Sequence, residues 1–143
     1  MPYAYADDIA IADLAFRAWG PTAEATFLAA AEATVNAMVE DLATIAPRVQ
    51  RTFEVHEEQL DLLLVQFLQE LLFYKDAQRL LLRVYEVQIT AHDQGFALEA
   101  RAAGEPLEPA RHALGADVKG VTLHRLQVVQ TSNGWEATVV LDV

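Results

Sequence analysis

LDLLLVQFLQELLFY, residues 60–74, decides how the rest of this chain can fold. Leu60, Leu63, Leu64, Phe67, Leu68, Leu71 and Leu72 recur at the i, i+3, i+4 spacing of one helical face. Leu62, Val65 and Phe73 widen that stripe well beyond the apolar face of a surface helix. A helix from about Glu57 to Tyr74 is therefore expected to be central and largely covered. The rest of the chain has to supply the cover.

Upstream, after an irregular, alanine-rich start, Leu14, Phe16 and Ala18 alternate with Asp13, Ala15, Arg17 and Trp19, the period of a strand. Gly20-Pro21-Thr22 breaks it and opens a first helix, with Thr22 as N-cap and Glu24 in the positive first turn. Phe27, Ala31, Val35 and Met38 mark its buried stripe, and RVQRTFEVH (48–56) reads as a short strand. Downstream the texture changes to strands: LLLRVYEVQIT, a turn at AHDQG, GFALEARAA, a loop from Gly104 to Asp117, VKGVTLHRLQVVQ, and a hairpin-like turn at TSNG. In the closing stretch, Trp135, Ala137, Val139 and Leu141 share one parity while Glu136, Thr138 and Asp142 share the other. The chain as given thus ends inside a half-buried strand. Strand, helix, strand, helix and then a run of strands predicts an α+β fold: a single-domain sandwich over residues 1–143, two helices packed on a largely antiparallel sheet.

Composition narrows the function. The chain has 143 residues, is 53% hydrophobic and 22% charged, and has no cysteine, which excludes disulfides, thiolate metal sites and thiol nucleophiles. No apolar run approaches the roughly 20 residues that cross a bilayer, and the start has no basic region followed by an apolar core. A cytoplasmic location is the expectation. The net charge is −11, with Lys75 and Lys119 as the two lysines and eight scattered arginines. Direct nucleic-acid binding needs a basic face that displaces phosphate counterions, so none is expected; a basic protein partner is compatible.

RHALGADVKGVTLH (111–124) places a histidine, a glycine, an acid, a lysine and a second histidine across a loop-to-strand junction. Here the chain resembles the archease family, accessory proteins of the RNA-splicing ligase that joins tRNA halves. Arg111-His112, Gly115, Val118-Lys119, Val121-Thr122 and His124 match the family's Arg-His-x-x-Gly-x-Glu-Val-Lys-Ala-Val-Thr-Tyr-His signature, with Asp117, Gly120 and Leu123 as replacements. LLLVQFLQELLFYKD, GEPLEPARH, WEATVVLDV and ADLAFRAWGPTAEATF carry the resemblance from about Tyr3 to Val143. The family's Asp-His-Thr-Ala-Asp start departs here: only Ala12 and Asp13 survive, the histidine is gone, and Asp7 and Asp8 lie just upstream. Ala25 also stands where a capping box needs a glutamate.

The resemblance implies a divalent ion, usually assigned as calcium, held by Asp13, Asp142 and the carboxylate of Val143. Three oxygen anions in one place repel unless a cation compensates, and all-oxygen ligation suits a hard ion. The competing reading is that aspartates at strand ends cap turns or face water. The resemblance also assigns Lys119, with His112 and His124, to the surface that acts on the ligase; otherwise Lys119 is a strand-edge lysine and the histidines are packing residues. His56 and His92 lie outside the signature, and Trp19 and Trp135 read as core or rim aromatics. No nucleophile elbow, phosphate-cradling glycine loop or histidine-rich cluster is present in the sequence. The leading expectation is a non-enzymatic activator that promotes guanylylation and multiple turnover of the ligase. Two alternatives are a chaperone-like interaction module and, last, a metal-dependent hydrolase using the same carboxylates.

Overall fold

The computed structural model describes residues 2–7 and 13–143, folded as eight strands and two α-helices. Their order is β1 (Tyr3–Tyr5), β2 (Leu14–Gly20), α1 (Ala23–Met38), β3 (Val49–Glu57), α2 (Leu60–Gln78), β4 (Leu80–His92), β5 (Gly95–Pro106), β6 (Gly120–Val121), β7 (Gln127–Thr131) and β8 (Gly134–Asp142). The strands form two antiparallel sheets. One runs β1-β2-β8, with β6 and β7 both paired to the far edge of β8; the other runs β3-β5-β4.

The α+β class holds, and the helices lie between two sheets rather than on one. Helix α1 touches β2 and β8 of the first sheet and β4 of the second, while α2 touches β3, β4 and β5 on one side and β6 and β7 on the other. This explains the over-wide stripe of α2, where Leu63, Leu64, Phe67 and Leu68 are all fully buried. It also explains the alanines of α1. Ala29, Ala30, Ala31 and Ala33 lose nearly all exposure, so α1 packs closely against its neighbours at these positions, while Phe27, Val35 and Met38 of the same helix fill the wider spaces. Thr22 caps α1 by accepting the Ala25 N–H at 3.1 Å. Arg79, at φ 49°, closes α2 in the left-handed cap conformation more often taken by glycine.

Two elements differ from the sequence reading. The alanine-rich start contains β1, too short to show a period. Its tyrosines are fixed by long-range bonds: Tyr3 donates to Asn36 Oδ1 at 3.2 Å and Tyr5 to the Ala33 carbonyl at 2.7 Å. The segment read as one strand from Val118 to Gln130 is β6 and β7 separated by a turn, in which Arg125 takes φ 55°. Both halves pair with β8, so the segment 122–126 loops out and the chain rejoins the same edge.

Burial, with Tyr3 beside it, raises the Tyr5 phenol above its ordinary value of 10.0. The folded chain then keeps a proton that the unfolded chain releases. The Tyr5 contribution is fully present below about pH 10 and is lost as the pH rises further. Urea midpoints measured from pH 8 upward should therefore fall beyond about pH 10, and Tyr5→Phe should flatten that fall. An unchanged slope in the variant would assign the alkaline loss to other groups.

Candidate functional site

The register of the first sheet gathers most of the residues singled out from the sequence. In the β2–β8 ladder Leu14 pairs with Leu141, so Asp13, one residue before Leu14, stands at the same end as Asp142, one residue after Leu141. On the other edge of β8, Gly120 pairs with Asp142, and the Lys119 N–H donates to the Asp142 carbonyl at 2.7 Å. Val143 follows directly. Asp13, Lys119 and Asp142 are exposed, and Val143 is 37% exposed. Three segments remote in sequence thus bring two aspartates, a lysine and residue 143 to one rim.

His124 lies on the turn leaving β6. Its backbone N–H donates to Thr122 Oγ1 at 3.2 Å, its ring is exposed, and Thr122 is tied to the Val140 carbonyl. His112 does not share this surface. Its side chain is fully buried, so its expected place on a partner-facing surface needs correction. Nδ1 accepts the Glu108 N–H at 2.9 Å, so the ring proton sits on Nε2, which donates to Glu105 Oε2 at 2.9 Å. The same carboxylate accepts the Ala46 N–H at 2.8 Å and is gripped by Arg111, with Arg48 Nη1 at 3.8 Å. Fully buried Glu105 is therefore the anchor of the signature loop. It lies in the GEPLEPARH stretch, but nothing in a lone glutamate near a proline distinguishes a buried carboxylate from a solvated one.

Lys75 is a second anchor that sequence reading passed over. Its side chain is 11% exposed; Nζ donates to the Val118 carbonyl at 3.1 Å and lies 3.6 Å from Asp117 Oδ1. The last turn of α2 thereby holds the residue before Lys119. Of the two lysines, the largely covered Lys75 positions the loop and the exposed Lys119 faces solvent.

Among the described residues, no three His, Asp or Glu side chains come together as a metal-binding group. The rim supplies two side-chain carboxylates, Asp13 and Asp142, both oxygen donors, and among the described residues neither side chain makes a hydrogen bond or an ion pair. This chemistry fits a hard divalent cation as far as two ligands go. Asp7 is exposed in the turn after β1, while Asp8 and residues 9–12, where the family's histidine would align, lie outside the described residues.

Comparison with known proteins agrees with the resemblance. Residues 3–143 match the Archease protein family (MTH1598/TM1083). Relatives named "Protein archease" include one from Pyrococcus abyssi, 35% identical over 133 residues, covering 92% of this chain and 93% of the relative. Another, from Methanosarcina barkeri, is 31% identical over 142 residues, covering 99% and 95%. The solution structure of Methanobacterium thermoautotrophicum protein 1598 superimposes with a TM-score of 0.85 at 29% identity, covering 99% of both chains. The fold is thus that of an α+β protein with two helices between antiparallel sheets. The chain belongs to the archease family.

Proposed function

We propose that this protein is a non-enzymatic activator of an RNA-splicing ligase, promoting guanylylation of the ligase and its repeated turnover. Family membership supports the accessory role. The observation that carries the finer reading is the shared rim of Asp13, Asp142, Val143 and Lys119, assembled by the β2–β8 and β6–β8 registers. In this reading Asp13 and Asp142, with the carboxylate of Val143, hold a divalent cation; the oxygen donors suit a hard ion, and the family resemblance makes it calcium. The ion supplies positive charge at a site that still has positions for water or a partner's group. Lys119 sits beside it as a fixed positive group, its backbone locked to Asp142 and its side chain free to reach a bound protein. The net charge of −11 favours docking on a basic, RNA-binding partner and disfavours direct binding to RNA. No helix is long and apolar enough to cross a membrane among the described residues.

The test is single-turnover guanylylation of the ligase from the same organism, with and without this protein. Wild type should accelerate the step, and Lys119→Ala and Asp13→Ala should each lose the acceleration while remaining folded. No acceleration by folded wild type would overturn the reading in favour of a chaperone-like module. For the metal, one residue appended after Val143 would move the carboxylate by about 3.3 Å, far beyond the roughly 0.2 Å that a metal site tolerates. Calorimetry should then show weaker calcium binding with a C-terminal extension and unchanged binding with an N-terminal one. Equal affinities would remove Val143 from the ligand set.

A further inference from the structure

At the opposite end of the first sheet, the two tryptophans of the chain line one groove of about 400 Å³. The β7–β8 turn and the Gly20-Pro21 turn build its floor by close approach. Gly134 takes φ +145°, and a Cβ there would lie 2.3 Å from the Gly20 carbonyl oxygen, so no other residue fits without moving the turn. Across this floor Trp19 of β2 pairs directly with Glu136 of β8, and Glu136 pairs on its other side with Val129 of β7. Directly opposed residues of an antiparallel pair share a face, with Cβ atoms about 4.5–5.5 Å apart. Glu136 is half-buried and its side chain makes no hydrogen bond or ion pair among the described residues, while Trp19 is 41% exposed.

A half-buried carboxylate between an indole and a valine has lost part of its hydration and pairs with no counter-ion among the described residues; Arg17, on the same face but opposite Thr138, has an interaction of its own. The adjoining indole face attracts cations through its quadrupole. Anions are repelled, and a neutral apolar ligand would leave the carboxylate uncompensated. We infer that this groove binds an arginine side chain presented by a partner protein. A guanidinium is flat enough to stack on Trp19 while its fork of N–H donors meets the Glu136 carboxylate, a combination that a lysine ammonium makes less well. Thr131 and Asn133 at the mouth offer further polar groups to the arginine's backbone. The strong net negative charge of the chain draws basic partners toward it. The site is at the far end of β8 from Asp142 and does not depend on the accessory role or on a metal.

Both tryptophans line the groove, so intrinsic fluorescence reports its occupancy directly. The probes are a blocked Gly-Arg-Gly tripeptide, its lysine counterpart, and its citrulline counterpart, which keeps the shape and removes the charge. The arginine peptide should produce a saturating change, with a midpoint about tenfold lower than that of citrulline and below that of lysine. Glu136→Gln should raise the arginine midpoint by about tenfold. Trp19→Leu, with Trp135 as the remaining reporter, should do the same and provides an independent arm if the first variant is unfolded by circular dichroism. A linear, unsaturated response, equal midpoints for arginine and citrulline, or wild-type binding in both variants would overturn the inference. Ligase guanylylation is not read in this experiment, so failure here leaves the accessory reading intact and the converse also holds.

Discussion

Replacing Glu105 with alanine should destabilise the fold by about 3–5 kcal/mol, the cost of stripping one partner from a buried charged network. The loss follows from what remains. The His112 Nε2–H and the Ala46 N–H would be left inside the protein without an acceptor, since both end on Glu105 Oε2. Arg111 and Arg48 suffer less, because their side chains are 45% and 65% exposed and can turn to water. Glu105→Gln keeps the shape and one acceptor and should cost less, roughly 1–3 kcal/mol. Urea unfolding with an unchanged slope separates the two variants from wild type. Amide exchange should also quicken between Glu108 and His112, whose backbone bonds depend on the hub, before it changes in the helices. A Glu105→Ala protein as stable as wild type would show that the carboxylate makes no net contribution. If the alanine variant is folded but no longer supports guanylylation, the hub positions the loop that ends at Lys119.

Phe67→Ala should cost about 3–5 kcal/mol, and for a different reason: it empties the centre of the molecule. The ring stacks on Phe27 of α1 at 5.9 Å and on Phe53 of β3 at 6.0 Å, and it is fully buried. One side chain therefore joins both helices to the second sheet. The aromatic pairs contribute about 0.5–1.5 kcal/mol each beyond the area they bury, and truncation loses them together with the transfer energy of the ring. Phe67→Leu should recover a large part of the stability. A loss below about 1 kcal/mol in the alanine variant would mean that the core collapses freely around the cavity, contrary to the close packing of the three layers.

The sequence reading went furthest where one element's own period carries the information. The α2 stripe, the β2 and β8 alternations and the Thr22 cap are local patterns, and each corresponds to the element observed. It was weakest at β1, where three residues show no period, and at Val118–Gln130, where a strand propensity spans a turn. The roles of Glu105 and Lys75 were invisible for a related reason. A carboxylate or ammonium reads as surface chemistry until its partners are known, and those partners are up to 59 residues away for Glu105 and Ala46. His112 shows the same limit from the other side: the match to a signature marked the residue, but its burial makes it an anchor rather than a contact.

By itself, then, the sequence determined the α+β class, a central helix with an apolar stripe wider than that of a surface helix, and the residues shared with the archease family. Periodicity and composition suffice for these, because each is a property of adjacent residues. Only the tertiary structure decided that the cover comes as two sheets. It also decided which residues stand together: Asp13, Asp142 and Lys119 at one end of β8, and Trp19 and Glu136 at the other. A cross-strand register is set by which hydrophobic faces can be buried together, and a shift of one residue would turn every side chain to the other face. That choice is made by the packed core as a whole, so the neighbours of a charge on the rim follow from it and from nothing in the local sequence.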